Sequence, residues 1–198
     1  MSHKRIDIML DIETLGKGDD ATVFQISAIA FNLFTGQYLD EIPYFNEVAD
    51  IEKNNILNVD GSTLKWWLRT DKQLLTELLH KGEKSTNEIL VDFYEWLLDR
   101  IKDYGKENVY LWGYGILFDN RIIKSHLESL GFKYPVLHRN NRDVHTILEL
   151  ASHVTGISEK EIKEKIKDES LVKHNAIDDV KRQVNLVIEC YKLITKGS

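Results

Sequence analysis

The residues most suggestive of chemistry lie near the N-terminus, where Asp11 and Glu13 end a short apolar run that starts at Ile6. Alternate residues of a β-strand share a face, so both carboxylates project together while Ile12 points to the opposite side. Two crowded carboxylates repel each other unless a cation lies between them or one is protonated. Because carboxylate oxygens are preferred ligands of Mg²⁺ and Mn²⁺, the pair is a candidate metal site. The alternative is a strand that simply emerges into a solvated loop.

Two later segments place further acidic residues at the start of predicted helices. Asp119 follows a short strand and a glycine-containing turn, so its carboxylate either caps the helix or joins a site at the strand end. Near the C-terminus, His174 precedes a helical stripe of apolar residues, and Asp179 lies at the margin of that stripe. Adjacent aspartates at a helix start usually complement the helix dipole, and a lone histidine is usually structural. Each segment alone is a weak signal.

In this order along the chain, the three segments resemble the DnaQ-like, or DEDDh, exonuclease family. The motifs of that family match three stretches here: Asp11-Ile12-Glu13-Thr14, Phe118-Asp119, and His174 with Asp179 five positions later. The stretch Ser62-Thr63-Leu64-Lys65-Trp66-Trp67 resembles one in phage exonuclease A and related small exoribonuclease-like proteins. One position departs from the pattern, because Gly115 stands where many members have an asparagine. Any hydrogen bond made by that asparagine is therefore absent or supplied by another group.

The resemblance implies a metal-dependent enzyme that hydrolyses phosphodiester bonds from the 3′ end of a single-stranded nucleic acid, either RNA or DNA. It also implies two divalent cations, Mg²⁺ or Mn²⁺, about 4 Å apart. We expect Asp11, Glu13 and Asp179 to bind the ion that holds the attacking water. Asp11 and Asp119 are expected to bind the second ion, and His174 to accept the proton of the water. The rival interpretation is a catalytically silent DnaQ-like module that binds nucleic acid or a polymerase.

Substrate contacts are predicted for four residues: Thr14, Leu15, Trp66 and Phe118. By family analogy, Thr14 lies near the terminal sugar and Leu15 lies against the terminal base. Neighbouring residues on a helix point about 100° apart, so one of Trp66 and Trp67 can face outward while the other is buried. We expect Trp66 to face outward because Lys65 beside it suggests a wetter face. An outward tryptophan beside the cleft stacks on a base with little sequence preference.

These residues require a fold that brings distant parts of the chain together. Apolar alternation and turn signals predict strands at 6–12, 22–33, 37–45, 109–112 and 134–137, with amphipathic helices between and after them. Ser62 and Asp143 are the predicted N-caps of two of those helices. The pattern predicts a single α/β domain over residues 1–198. Its architecture is a ribonuclease H-like mixed five-stranded sheet, with three antiparallel strands plus parallel strands, flanked by helices.

Composition says more about the cellular location of the protein than about its chemistry. The 198 residues include one cysteine, Cys190, which forms no internal disulfide and favours a reducing, cytoplasmic location, in a host cytoplasm if the protein is phage-encoded. The longest apolar runs are interrupted by polar residues, which predicts no membrane partner. The formal net charge of −6 argues weakly against a protein that coats nucleic acid by charge alone. The family resemblance also allows a homodimer.

Overall fold

The computed structural model describes residues 5–196, so the predicted domain, 1–198, extends beyond the described residues at both ends. Within residues 5–196 there are six strands and seven α-helices. The strands are β1 (Ile6–Thr14), β2 (Val23–Asn32), β3 (Gln37–Tyr38), β4 (Phe45–Val48), β5 (Val109–Gly113) and β6 (Asn141–Asp143). The helices are α1 (Gly61–Thr70), α2 (Lys72–Leu79), α3 (Thr86–Tyr104), α4 (Asp119–Ser129), α5 (Val144–Thr155), α6 (Glu159–Lys165) and α7 (Ala176–Lys196).

The strands form one mixed sheet with β1 at its centre. β1 pairs antiparallel with β2 and parallel with β5, and β5 pairs parallel with β6. β3 and β4 both pair antiparallel with β2, at different positions along it. The order is therefore β3-β2-β1-β5-β6 with β4 also on β2, which confirms the predicted mixed α/β sheet.

The strand boundaries differ from the prediction in two places, and a proline accompanies each difference. The returning strand predicted at 37–45 is split into β3 and β4, which raises the strand count from five to six. Pro43 lies in the intervening turn and has no amide hydrogen for the sheet ladder. The strand predicted at 134–137 does not form; this stretch contains Pro135, and the parallel half of the sheet ends with β6 instead.

Helix caps were predicted correctly at one position and wrongly at another. Asp143 is the N-cap of α5, because its carboxylate accepts a hydrogen bond from the His145 amide at 2.8 Å. Ser62 is not the N-cap of α1. The helix begins at Gly61, and Asp60 occupies the N-cap position. The Asp60 carboxylate accepts from the Lys17 amide at 2.7 Å, so it holds the loop that follows β1 instead of capping the helix.

The sheet is covered on both faces, and β1 contributes to both layers. Its residues Ile8, Leu10 and Ile12 pack in a core with side chains of α3 and α4. Met9 points to the opposite face and packs with side chains of α5 and α7. This alternation follows the pleat of the strand and brings α4 and α7 to the carboxyl end of β1.

None of the helices within residues 5–196 is long and apolar enough to cross a membrane.

Candidate active site

The last residues of β1 include Asp11 and Glu13, which lie two positions apart and therefore project from the same face of the sheet. Ile12 between them is 4% exposed and packs in the opposite layer, while both carboxylates are partly buried. Within residues 5–196 no hydrogen bond from a protein group reaches the Glu13 carboxylate. Asp11 has one donor, the Gln183 side-chain amide of α7, at 2.7 Å from Oδ1.

Helix α7 brings Asp179 to this pair. One carboxylate oxygen each from Asp11, Glu13 and Asp179 lies within 4.8 Å of the others, across a sequence separation of more than 160 residues. The Asp179 carboxylate is held from two sides. Its Oδ2 accepts from the His174 amide at 2.9 Å, and its Oδ1 forms an ion pair with Arg182 one turn along the helix.

Asp119 approaches the cluster from the start of α4. It is 4% exposed, and the backbone of Ile12 in β1 lies close enough to its carboxylate to oppose the rise in its pKa. Its Oδ atoms are not within the 4.8 Å group, but its charge acts on both Asp11 and Glu13. The turn before α4 depends on Gly115, whose carbonyl accepts from the Phe118 and Asp119 amides. Gly115 has φ +114°, a conformation that side chains other than glycine rarely adopt, so an asparagine does not fit here without strain.

The carboxylates of this cluster resist ionisation. Burial, followed by the charge of Asp119, raises the pKa of Asp11 well above its ordinary value, although Gln183 and Arg182 oppose the shift. Burial and then the charges of Asp11 and Asp119 raise the pKa of Glu13 in the same way. Burial raises the pKa of Asp119 to about 7. The single positive charge of Arg182 therefore does not balance the four carboxylates, and a bound cation supplies the missing positive charge.

The donor set fits hard divalent cations. All four acidic side chains offer oxygen, and within residues 5–196 the only group of potential ligands this close together is Asp11, Glu13 and Asp179. Mg²⁺ and Mn²⁺ prefer such oxygen ligands, whereas zinc sites are usually built with histidine nitrogen or cysteine sulfur.

His174 lies at the edge of the cluster, with its ring directed toward α1. Its backbone has φ +63°, and the ring is half-buried against Trp66, with ring centroids 4.8 Å apart and planes at 85°. Burial, followed by the charges of Arg182 and Lys173, lowers the pKa of His174. A neutral imidazole is thus favoured near neutral pH.

The two tryptophans of α1 are oriented differently, in line with the helical geometry. Trp66 is 43% exposed, whereas Trp67 is 1% exposed and donates through Nε1 to the Thr14 carbonyl at 3.1 Å. Trp67 therefore fixes α1 to the end of β1, and Trp66 presents an open ring surface beside the acidic cluster.

The other predicted substrate contacts have different surroundings. Thr14 is 5% exposed and lines an open cleft together with Trp66, and its hydroxyl donates to the Gly16 carbonyl at 2.6 Å. Leu15 is 4% exposed and packs against Phe24 and Trp67 in a small core. The contact of Leu15 with a terminal base, given by family analogy, stays a prediction. Leu15 follows the end of β1, just past a register shift between Glu13 and Thr14.

Two open clefts meet at the acidic cluster and share Ile12, Glu13 and Phe118. The first, of about 750 Å³, runs along α1 and is lined by Thr14, Lys65, Trp66 and Arg69 among others. The second, of about 980 Å³, runs between α6 and α7 and includes Asp11, Asp119, His174 and Asp179. We call them the Trp66 cleft and the α6 cleft.

Sequence analysis missed Arg182 and Gln183, which contact Asp179 and Asp11 directly. Both follow Asp179 by about one helical turn, and Gln183 is 8% exposed with its Oε1 lacking a hydrogen-bond partner. A glutamine between the apolar residues Val180 and Val184 was the available signal, because a buried amide needs a polar partner.

Comparison with known proteins agrees with this geometry. Residues 6–191 match the family described as the 3′-5′ exoribonuclease Rv2179c-like domain. No protein of curated function matches the sequence. Among solved structures, cell-death related nuclease 4 (CRN-4) is similar with a TM-score of 0.68 and 13% identity, over 97% of this chain and 64% of that one. The nuclease domain of 3′hExo, a DEDDh family member bound to rAMP, has a TM-score of 0.64 and 13% identity, over 99% and 94%.

The E. coli ExoI–ssDNA complex is similar over 97% of this chain with a TM-score of 0.59 and 14% identity. This chain spans less than two thirds of the CRN-4 and ExoI chains, at 64% and 40% of their lengths. At these identities the structural matches establish the ribonuclease H-like fold, and the family match extends over almost all of the described residues. The chain belongs to the 3′-5′ exoribonuclease Rv2179c-like domain family.

Proposed function

We propose that this protein is a 3′–5′ exonuclease, which removes nucleotides one at a time from the 3′ end of a single strand by a mechanism that uses two divalent cations and a histidine base. The observation that carries the proposal is the acidic cluster of Asp11, Glu13 and Asp179, with the buried Asp119 beside it, at the junction of two open clefts.

Asp11, Glu13 and Asp179 are the proposed ligands of one cation, and Asp11 and Asp119 are the proposed ligands of the other. When bound, Mg²⁺ or Mn²⁺ neutralises charge at the phosphoryl group and lowers the pKa of the attacking water. The Gln183 amide orients the Asp11 carboxylate, and the His174 amide orients that of Asp179. Arg182 supplies positive charge to Asp179, so a cation at this carboxylate competes with an ion pair inside the protein.

His174 is the proposed general base, which accepts the proton of the attacking water at a ring nitrogen. The lowered pKa of His174 supports this role, because the imidazole is then neutral and able to accept a proton at neutral pH. Its ring contacts Trp66, so the base lies between the acidic cluster and the surface proposed to hold the substrate.

The terminal nucleotide is proposed to occupy the Trp66 cleft. Its base stacks on the exposed ring of Trp66, and its sugar lies near Thr14 and Phe118, which line that cleft. Such stacking tolerates any base. A contact of Leu15 with the terminal base stays a prediction by family analogy; its side chain is 4% exposed, so the base would reach it only after local rearrangement.

RNA is the proposed natural substrate because the matching family is described as exoribonucleases. One structural neighbour was solved with rAMP and another with single-stranded DNA, so both polymers need to be compared. Rates on RNA and DNA oligonucleotides of one sequence measure the preference directly.

The adjacent aspartates of α7 provide a matched test of the proposed site. Asp179 belongs to the acidic cluster, whereas Asp178 forms an ion pair with Lys181 at 3.2 Å. We expect Asp179→Asn to lower the rate on the order of 10³-fold, since loss of a metal ligand removes several kcal/mol of transition-state stabilisation. Asp178→Asn is expected to stay within a few-fold of the parent.

The assay uses 5′-labelled and 3′-labelled single strands with Mn²⁺, Mg²⁺ or EDTA. Stepwise shortening of the 5′-labelled strand, immediate release of the 3′ label and loss of both in EDTA are the expected results. Equal rates for Asp179→Asn and Asp178→Asn would mean that Asp179 and its acidic cluster have no part in the mechanism. A parent protein that binds the strands without cutting them would favour the silent binding module.

Two further proposals concern the setting of the enzyme. The single cysteine, Cys190, is buried and unpaired, which supports a reducing location such as the cytoplasm. A homodimer is proposed by family analogy, and light scattering during gel filtration measures it.

A further inference from the structure

One wall of the α6 cleft carries three lysines, together with Glu159 and Glu164. Lys160 and Lys163 are three residues apart in α6, so they lie on one side of the helix, and Lys167 follows two residues past the helix end. All three line the α6 cleft, whose other wall contains the acidic cluster. In a chain with formal net charge −6, this lysine face stands out.

The lysine face is attached to the rest of the fold at two points. Ile162, between the lysines, is completely buried in the core with α5 and α7. Ser158 caps the helix through a reciprocal pair of hydrogen bonds with Glu161. Because one side of α6 is buried and its start is capped, the lysine side is held toward the cleft.

Acidic neighbours of the lysines compete only weakly for them. Lys163 lies 3.7 Å from Glu159, and Lys167 lies 3.3 Å from Glu169. All four side chains of these pairs are 42% or more exposed, and exposed ion pairs contribute little to stability. The phosphates of a polyanion that enters the cleft can therefore replace these glutamates as ion-pair partners of the lysines.

The arrangement of the two clefts determines the direction in which a bound strand runs across the acidic cluster. If the terminal nucleotide occupies the Trp66 cleft and the scissile phosphate lies at the acidic cluster, the upstream strand leaves through the other cleft. That path passes the lysine face. The α6 cleft has no exposed tryptophan among its lining residues, so it offers charge for the backbone in place of a large stacking surface.

We propose that Lys160, Lys163 and Lys167 bind phosphates of the nucleotides upstream of the scissile bond, so the enzyme binds a strand of several nucleotides more tightly than a dinucleotide. This inference rests on the proposed function, because that function sets where the 3′ end lies.

The test compares K160Q/K163Q/K167Q with a control in which three exposed lysines outside both clefts are changed, K72Q/K81Q/K102Q. Substrates are a dinucleotide and a 12-nucleotide strand of the same sequence. Binding of the labelled 12-mer is measured by fluorescence anisotropy with Ca²⁺, across a series of salt concentrations. Hydrolysis of both substrates is measured with Mn²⁺.

For the α6 variant we expect the 12-mer to bind about tenfold more weakly. The slope of log K against log salt is expected to become shallower by about 0.7 for each phosphate that a lysine no longer neutralises. The dinucleotide kcat/KM and the kcat for the 12-mer stay within about twofold of the parent. The control triple variant is expected to retain the parent's binding and salt dependence.

Three results would overturn the inference: unchanged 12-mer binding, equal weakening in the control variant, or an equal loss on the dinucleotide. A larger length-dependent loss in K65Q/R69Q would also overturn it, because the upstream strand would then follow the Trp66 cleft. Failure of the proposed function gives a different pattern. If the 12-mer binds in a lysine-dependent way and neither substrate is hydrolysed, the result supports strand binding by the lysine face and contradicts the proposed exonuclease activity.

Discussion

Strand β1 carries buried carboxylates at both ends, and the two ends satisfy them differently. Asp7, near the start, is completely buried and receives a bidentate ion pair from Arg5 at 2.7 and 2.8 Å. The Trp112 indole donates at 2.9 Å and the Leu33 amide at 3.3 Å. Four residues later, about 13 Å along the strand, Asp11 has one amide donor and Glu13 has none among the described residues.

This difference separates a structural carboxylate from a functional one. A buried charge that is fully paired belongs to the fold, because its partners are part of the protein. A buried cluster left short of positive charge stores unfavourable energy that a bound cation relieves. Protein groups therefore neutralise the carboxylate at the start of β1, whereas the carboxylates at its end need a bound cation.

The largest expected effect comes from Asp11→Asn at the functional end. We expect activity to fall on the order of 10³-fold, since Asp11 is the proposed ligand of both cations. In EDTA the variant is expected to be at least as stable as the parent, because one repelling charge has been removed. Single-turnover hydrolysis and urea denaturation measure the two effects. A large loss of stability in EDTA would contradict the contrast between the two ends.

Asp7→Asn is expected to give the opposite pattern. It leaves the Arg5 guanidinium without its partner, which costs about 3–5 kcal/mol when a buried ion pair is broken. The guanidinium also packs over the rings of Phe34 and Tyr110, so loss of the ion pair is also expected to weaken the packing at this end of the sheet. The rate per folded molecule should remain within about twofold of the parent. If activity fell while stability did not, Asp7 would belong to the functional site.

The hydrogen-bond donors at the two ends allow a finer comparison. Gln183→Leu removes the amide that orients Asp11, and removal of such a supporting hydrogen bond typically weakens metal binding by about 10- to 100-fold. Trp112→Phe removes the donor to Asp7, so we expect it to lower stability without changing metal affinity. Calorimetric titration with Mn²⁺ measures the affinity of each variant. Equal metal affinities for Gln183→Leu and the parent would assign Gln183 a structural role.

Local sequence patterns predicted this molecule well where neighbouring residues decide the geometry. The β1 alternation placed Asp11 and Glu13 together, and helical spacing separated the exposed Trp66 from the buried Trp67. Strand predictions were wrong near the two prolines, where the stretch 37–45 is split and no strand forms at 134–137.

Residues that act across the fold had little local signal of their role, beyond a glutamine between two apolar residues of α7. Arg182 and Gln183 became recognisable only when α7 was seen to pack against β1, and the lysines of α6 only when the cleft between α6 and α7 was seen. The sequence motifs identify the carboxylates of the site. Tertiary packing determines what orients those carboxylates and which charges lie opposite them.

The smallest expected effect is a pH dependence that belongs to the functional end alone. Burial raises the pKa of Asp119 from 3.8 to about 7, so folding favours the protonated carboxyl. Its stabilising contribution is fully present below pH 4 and is lost as the pH rises toward 7. In EDTA, Asp119→Asn should therefore match the parent near pH 4 and exceed its Tm by at least about 2–4 °C at pH 8. Saturating Mn²⁺ should reverse that order, because only the parent keeps the full ligand set. A Tm difference that stays constant from pH 4 to pH 8 in EDTA would mean that the Asp119 carboxyl does not require a cation.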